Sequence, residues 1–409
     1  MLGDEGELGR SHMDLARGLD TLVVAAAVAA LAPVLVALLP GPRIPQVVVL
    51  LAGGVLIGPE VLDWASRPTI DLLANVGLGF LFLLAGYELD LHLFRERPGR
   101  LAIVGWLVSV VLAVALVGVL DAAGLVRAFV PVALGLTTTA LGTLLPILRD
   151  NDLLVGRFGR HLLAAGAVGE LFPVFAIALF LGARNKFVAL GSLVAVGLLA
   201  VVLSQAPKLV RGRRLERILL EGEGATAQST VRLTVLLLVL LLAIAEDLGL
   251  DVVLGAFLAG IVLRRWAPGD VHALEGKLDA LGYGFFIPLF FVASGMTLDV
   301  RSIIEAPGRL LACFLLLLVI RGAPSLLLYR RDLDLSERFQ LMFLTATALP
   351  LLVALAEIGL RNGTMLRENA AALVGAGALS VLVYPMVAVV IRRRTGNPAN
   401  IPRSPTLEP

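Results

Sequence analysis

The chain has 409 residues, 58% of them hydrophobic and 16% charged, with a formal net charge of +2. A soluble domain carries roughly 45–50% apolar and about 25% charged residues, so this composition, with mean hydropathy +0.92, excludes a soluble globular enzyme, a disordered chain and a nucleic-acid binder. The lone cysteine, Cys313, excludes a disulfide framework or a cysteine-rich metal centre, which leaves a polytopic membrane protein.

Residues 1–20 mix Asp4, Glu5, Glu7, Asp14 and Asp20 with Arg10 and Arg17. A signal peptide needs a basic start, so this stretch reads as an extracellular tail. After it come apolar runs of the roughly 20 residues that a helix needs to cross the hydrocarbon. They lie near 21–39, 44–62, 70–89, 101–120, 126–148, 157–182, 187–207, 229–249, 251–264, 280–297, 308–329, 337–358 and 370–391, thirteen in all. None shows the period-two alternation of a membrane barrel strand, so an all-α bundle of about 13 spans is expected. Of the 34 lysines and arginines, 23 fall in the loops after odd-numbered spans and in the C-terminal tail, 10 on the other side and Arg321 inside a span. The positive-inside rule then puts the N-terminus outside and the C-terminus in the cytoplasm.

Two halves of the chain repeat one another. LFLLAGYELDL (81–91) matches LFFVASGMTLD (289–299), TTTAL (137–141) matches TATAL (345–349), and GGVLIG (53–58) matches GAFLAG (255–260). The offset covers seven spans, an odd number, so the halves must enter the membrane from opposite sides. Such inverted repeats mark secondary transporters, whose sites lie near the midplane where broken helices meet. The expected division is 21–182 for the first repeat (helices 1–6), 183–228 for a linker helix and a basic cytoplasmic loop, and 229–392 for the second repeat (helices 8–13). Residues 393–409 form a cytoplasmic tail.

Polar residues inside apolar runs carry the candidate chemistry. Thr137, Thr138 and Thr139 in span 5 match Thr345 and Thr347 in span 12, with Pro146 and Pro350 close by. Threonines and prolines are poor neighbours for an unbroken helix. Two readings follow: both helices unwind there and their freed carbonyls and hydroxyls line a small cation site, or the hydroxyls bond back within continuous helices. Glu170 lies in the middle of span 6, where an ionisable side chain costs several kcal/mol and is usually functional. The repeat maps it onto Ala378, and Arg321 onto Leu112, so both charges break the symmetry of the halves. Arg321 is expected to be an electrostatic partner of Glu170 or of a carbonyl end. Glu88, at the end of span 3, is a weaker candidate for lining the cavity, and headgroup solvation also explains it. His92, His161 and His272 fall on the cytoplasmic side as candidate pH sensors. No enzyme motif, phosphate loop or cofactor signature appears.

Beyond these features, GGVLIGPEVL (53–62), FLFLLAGYELDL (80–91), LGAFLAGIVLR (254–264) and FFIPLFFVASGMTLD (285–299) resemble the monovalent cation:proton antiporters of the sodium/proton exchanger superfamily. The similarity is greatest to the branch with bacterial potassium-efflux proteins. The resemblance implies thirteen spans, crossed unwound helices 5 and 12, and a homodimer. It also implies a moving core of helices 4–6 and 11–13 against a panel of helices 1–3 and 8–10. Its ion-binding carboxylate lies in helix 6, commonly as an Asp-Asp, Asn-Asp or Gln-Asp pair. Here that place reads Gly169-Glu170, so the first member is missing and the second is longer. Its helix 11 commonly carries a midplane Lys or Arg, and Arg321 is similar. The nucleotide-binding regulatory domain of some relatives has no counterpart within residues 1–409.

The expectation is an antiporter of Na⁺ or K⁺ against H⁺ in the plasma membrane, with a monovalent cation and a proton competing for Glu170, Thr137, Thr138 and Thr139 at the site, and no cofactor. Two alternatives remain open at this level: a transporter of an organic ion or anion on the same fold, and a passive cation channel.

Overall fold

The computed structural model describes residues 4–38, 45–89, 91–124, 126, 128–151, 153–181, 186–209, 229–266 and 271–395. The basic loop at 210–228 and the tail at 396–409 lie outside the described residues. Among the described residues there are only helices and turns. Thirteen main helical segments run in order: α1 (Asp4–Leu38), α2 (Gln46–Ile57), α3 (Arg67–Glu88), α4 (Arg97–Ala122), α5 (129–150), α6 (Gly156–Phe180), α7 (Lys186–Leu209), α8 (Ser229–Asp247), α9 (Val252–Trp266), α10 (271–296), α11 (307–328), α12 (335–361) and α13 (Arg367–Thr395), with short helices at Leu91–Arg95 and Val300–Glu305 between them. Nine of these are long and apolar enough to cross a membrane, and α1 meets that measure over Gly18–Leu38. Helix α1 already begins at Asp4, inside the stretch expected to be a tail.

Two helices are broken. Helix α5 consists of α5a (Phe129–Gly135) and α5b (Leu141–Asp150), and α12 of α12a (Leu335–Thr345) and α12b (Pro350–Arg361). Proline opens α3, α4, α11 and α12b, at the first-turn positions where no backbone N–H is missed. Two further helices stay continuous but widen into π-turns, α10 at Gly282–Phe286 and α11 at Leu318–Gly322.

The helices form two sub-bundles. In one, a panel, α3 packs on α9 and α10, α10 on α2, and α9 on α8; in the other, a core, α4 packs on α6 and α13 packs on α11 and both halves of α12. Helices α6 and α12 are the most enclosed spans. Val104, Leu107, Val111 and Val119 of α4, like Leu236 and Val239 of α8, point their apolar side chains outward. In a bilayer that surface meets lipid tails and costs nothing.

The panel is held by backbone contact at glycines, as expected where lipid is as apolar as leucine and packing must drive association. A Cβ on Gly86 of α3 would lie 2.1 Å from the Phe257 carbonyl oxygen of α9, and one on Gly260 would lie 2.0 Å from that of Leu83. The other half repeats the device: Gly295 of α10 and Gly54 of α2 meet the Leu51 and Val292 carbonyls at 2.2 and 2.1 Å. Gly86 and Gly295 are the residues matched by the internal repeat, so the inverted repeat is visible in the packing as well as in the chain. Gly86→Val is accordingly expected to force α3 and α9 apart and to destabilise the protein by about 1–3 kcal/mol, the ordinary cost of overpacking. Thermal unfolding in detergent checks this, and an unchanged midpoint would count against the contact.

Candidate functional site

The site begins with the two breaks. Residues 136–140 and 346–349 leave helical geometry at the depth where α5 and α12 cross. Freed backbone groups must find partners in a dry interior, and here they find each other. The Ala140 N–H donates to the Thr347 carbonyl at 2.8 Å, and the Thr139 N–H to the Gly169 carbonyl of α6 at 2.9 Å. In the other half the Ala348 N–H donates to the Ser380 hydroxyl of α13 at 3.1 Å. All five threonines of the two breaks are buried.

Their hydroxyls divide the work. Thr137 and Thr138 donate back to the Leu134 and Gly135 carbonyls at 2.8 and 2.7 Å, closing the end of α5a. Thr345 and Thr347 do the same to Leu341 and Phe343 in α12a, at 2.8 and 3.1 Å. Both sequence-based readings of these threonines thus hold in part: the helices are broken, and four hydroxyls still bond back. Thr139 alone turns across the crossing, donating to the Thr345 carbonyl at 2.6 Å. Pro350 opens α12b directly after the second break.

Arg321 sits in the π-turn of α11, 3% exposed. Such turns often mark functional positions because they redirect a side chain. Its Nε donates to Thr139 Oγ1 at 2.8 Å and its Nη2 to the Ala165 carbonyl of α6 at 2.7 Å. A chain of bonds therefore runs from the guanidinium through Thr139 to the carbonyl that ends α12a, where a helix dipole favours positive charge. Of the two partners expected for Arg321, the structure supplies the carbonyl end; Arg321 makes no hydrogen bond or ion pair with Glu170.

Gly169 explains itself in this setting. A Cβ there would lie 2.5 Å from Arg321 Nη2 and 2.5 Å from Thr139 Oγ1. Its repeat counterpart Gly377 lies equally close to the second break, 2.8 Å from the Ala348 carbonyl oxygen. Both halves use a glycine to let the neighbouring helix touch the unwound strand.

Glu170, one residue on, is half-buried and has no hydrogen bond or ion pair among the described residues. It lies within electrostatic reach of Glu88, which is exposed at the end of α3. Asp279, Glu275, Arg149 and Arg264 surround Glu88. These groups thus extend from Glu170 toward the end of the bundle that carries Arg149, Arg264 and Arg392–Arg394, the arginine-rich end. Tyr283, from the π-turn of α10, lies within electrostatic reach of Glu88, Glu170, Asp279 and Arg149.

At the opposite end the panel and core are clamped. Arg67 and Asn75 of α3 reach across to α12b, where Arg67 binds Glu357 and Arg361 donates to the Asn75 amide oxygen at 2.8 Å. Arg361 also binds Glu357 at 2.9 Å, and Arg67 binds Asp71 at 2.8 Å. The Glu357 side chain is 13% exposed, so both arginines serve a largely dehydrated carboxylate. Beside the clamp lies a cavity of about 690 Å³ lined by Glu60, Arg67, Ser294, Glu357, Arg361 and Arg367 among others. Elsewhere, His161 is buried, its Nδ1 on the Arg157 carbonyl at 2.9 Å. The side chain of His272 lies outside the described residues.

The transmembrane sodium/hydrogen exchanger family model matches residues 24–392. The chain belongs to the sodium/hydrogen exchanger family. Among relatives of this exchanger, the putative Na⁺/H⁺ antiporter YjbQ of Bacillus subtilis is 26% identical over 404 residues, covering 92% of this chain and 64% of its own. The glutathione-regulated potassium-efflux protein KefC of Escherichia coli is 26% identical over 362 residues, covering 84% of this chain and 56% of its own. The chain thus spans roughly three fifths of the length of these curated relatives. The solved sodium proton antiporter MjNhaP1 of Methanocaldococcus jannaschii shares the exchanger's fold, with a TM-score of 0.57 at 16% identity over 94% of this chain and 96% of that one. Family membership makes the protein a membrane transporter rather than an enzyme.

Proposed function

We propose that this protein is a secondary antiporter that exchanges a monovalent cation, Na⁺ or K⁺, for protons at Glu170. The observation that carries the reading is the Glu170 carboxylate: half-buried in the middle of a span, next to the crossing of two broken helices, with no hydrogen bond or ion pair among the described residues. An ionised carboxylate in a dehydrated cleft is costly, and either a proton or a partly stripped cation repays that cost. Both at once gain nothing further. Loaded forms can therefore reorient, and the empty anion is too unfavourable to cross, which enforces exchange. The printed names of the relatives, Na⁺/H⁺ antiporter and potassium-efflux protein, support a monovalent cation.

In this reading Thr139 and the crossing carbonyls hold the framework, while Thr137 and Thr138 keep oxygen lone pairs free to face a cation. Arg321 supplies a fixed charge to the crossing. Its guanidinium spends Nε and Nη2 on Thr139 and Ala165 inside the bundle, which favours a structural charge over an anion receptor. The clamp at Glu357 ties panel to core at the opposite end in this conformation, which disfavours an open channel. The arginine-rich end is assigned to the cytoplasm by the positive-inside rule, with the protein in the plasma membrane as a homodimer.

The direct test is dissipation of an imposed pH gradient in proteoliposomes, with Na⁺, K⁺, Li⁺ and choline added in turn. Response to a small alkali cation but not to choline is expected; indifference to all four would overturn the reading. Charge balance gives a second expectation. With one titratable carboxylate at the site and an arginine that stays charged throughout, each cycle moves one proton against one cation. A membrane potential imposed without ion or pH gradients should drive no transport. Potential-driven uptake would require a second proton carrier, with Glu88 the first to examine.

A further inference from the structure

Tyr283 has features that packing alone does not explain. It lies in one of two π-turns among the described residues, and the other delivers Arg321 to the helix crossing. A π-turn gives up regular hydrogen bonding to re-aim a side chain. Here the aim is across the panel–core boundary: a Cβ on Gly142, in the first turn of α5b just past the break, would lie 3.6 Å from the Tyr283 hydroxyl. The residue is 41% exposed although it lies deep within the span 274–296. Its hydroxyl has no hydrogen-bond partner among the described residues, and neither has Glu170. A phenol donor without an acceptor and a carboxylate without a donor thus lie within electrostatic reach of each other, one carried by the panel and the other by the core.

We infer that Tyr283 is a positioning residue of the transport site: its hydroxyl donates to ionised Glu170, directly or through one water, only while Glu170 faces the arginine-rich end. When the core slides past the panel, Glu170 leaves the tyrosine behind, so the same carboxylate has unequal affinities on the two sides. The groups that face the phenol are Glu88 from α3, Asp279 from its own helix, Arg149 from α5b and Glu170 from α6. Glu88 and Asp279 repel a second negative charge, and Arg149 offsets part of that. The phenol is the neutral donor among them, so it can bond to the anion without displacing the cation.

The inference rests on exchange at Glu170, and the test separates the two. Exchange is measured as a function of pH in everted and in right-side-out membrane vesicles, for the wild type, Tyr283→Phe and Glu170→Gln. A hydrogen bond to the ionised carboxylate opposes its protonation, so losing the donor should raise the half-maximal pH. The expected shift for Tyr283→Phe is about one unit, a tenfold change in proton concentration and the scale of one charge-assisted bond, read from the arginine-rich side only. Gly142→Val, which crowds the hydroxyl but keeps the phenol, should shift the same midpoint in the same direction. Unchanged midpoints, or equal shifts on both sides, would overturn the role of Tyr283. Full exchange by Glu170→Gln would instead overturn the reading of Glu170 itself.

Discussion

Glu170→Gln is expected to reduce cation-driven proton flux to background, a loss of at least about 100-fold, on the scale of removing the single charge that a dehydrated site requires. The amide takes up no proton in the working range and neutralises no cation, so neither loaded form can be made. Because Glu170 accepts no hydrogen bond from the described residues, the change breaks no structural contact, and the fold should survive with an unchanged unfolding midpoint. Glu170→Asp keeps the charge but withdraws it by one methylene, and should retain partial exchange with a changed order of cation preference. Gradient dissipation in proteoliposomes reads both variants. Normal flux in the glutamine variant would remove Glu170 from the mechanism.

Gly169→Ala should be nearly as damaging, for a reason unrelated to ion binding. Its methyl would stand 2.5 Å from both Arg321 Nη2 and Thr139 Oγ1. Neither can step aside freely, because the guanidinium is bound to Ala165 and the threonine to Thr345. Displacing Arg321 leaves a buried charge without partners, which costs about 3–5 kcal/mol in comparable cases. Exchange should fall at least about tenfold along with stability. In an Arg321→Ala background the same methyl meets one obstacle instead of two, so Gly169→Ala should then cost much less. Thermal unfolding of the double-mutant cycle measures this coupling, and strictly additive costs would refute the explanation.

The parts that were legible in the chain are those with a local or repeated signature. The all-helical bundle follows from apolar runs, nine of which form helices long and apolar enough to cross a membrane among the described residues. The breaks in α5 and α12 follow from threonines duplicated at one offset. Glu170 and Arg321 were visible as lone charges in apolar stretches. Other parts depend on contacts between residues far apart in the chain. Arg321 meets Thr139 and Ala165, 182 and 156 positions away, and no local pattern announces that choice. Gly169 read as the loss of a carboxylate, although the matching Gly377 already hinted at a steric need. Tyr283 passed for an ordinary aromatic in an apolar run, and only the π-turn around it shows otherwise. Glu357, near the end of a span, carries no signal of its own in the chain. Its role in the clamp needs Arg67, 290 positions earlier in the chain.

The clamp also bears on how the protein behaves when idle. In a carrier that works as proposed, leaving the present conformation means separating Glu357 from Arg67, which sit on different sub-bundles, and no gradient is needed to restore that pair. The pair therefore favours the present arrangement of panel and core over one in which it is broken. An exchanger that waits in that arrangement offers its empty site to one compartment first, loads either a proton or a cation there, and collects the counter-ion only after crossing. It behaves as a one-sided gauge, its turnover set first by the compartment it faces at rest and only then by the other.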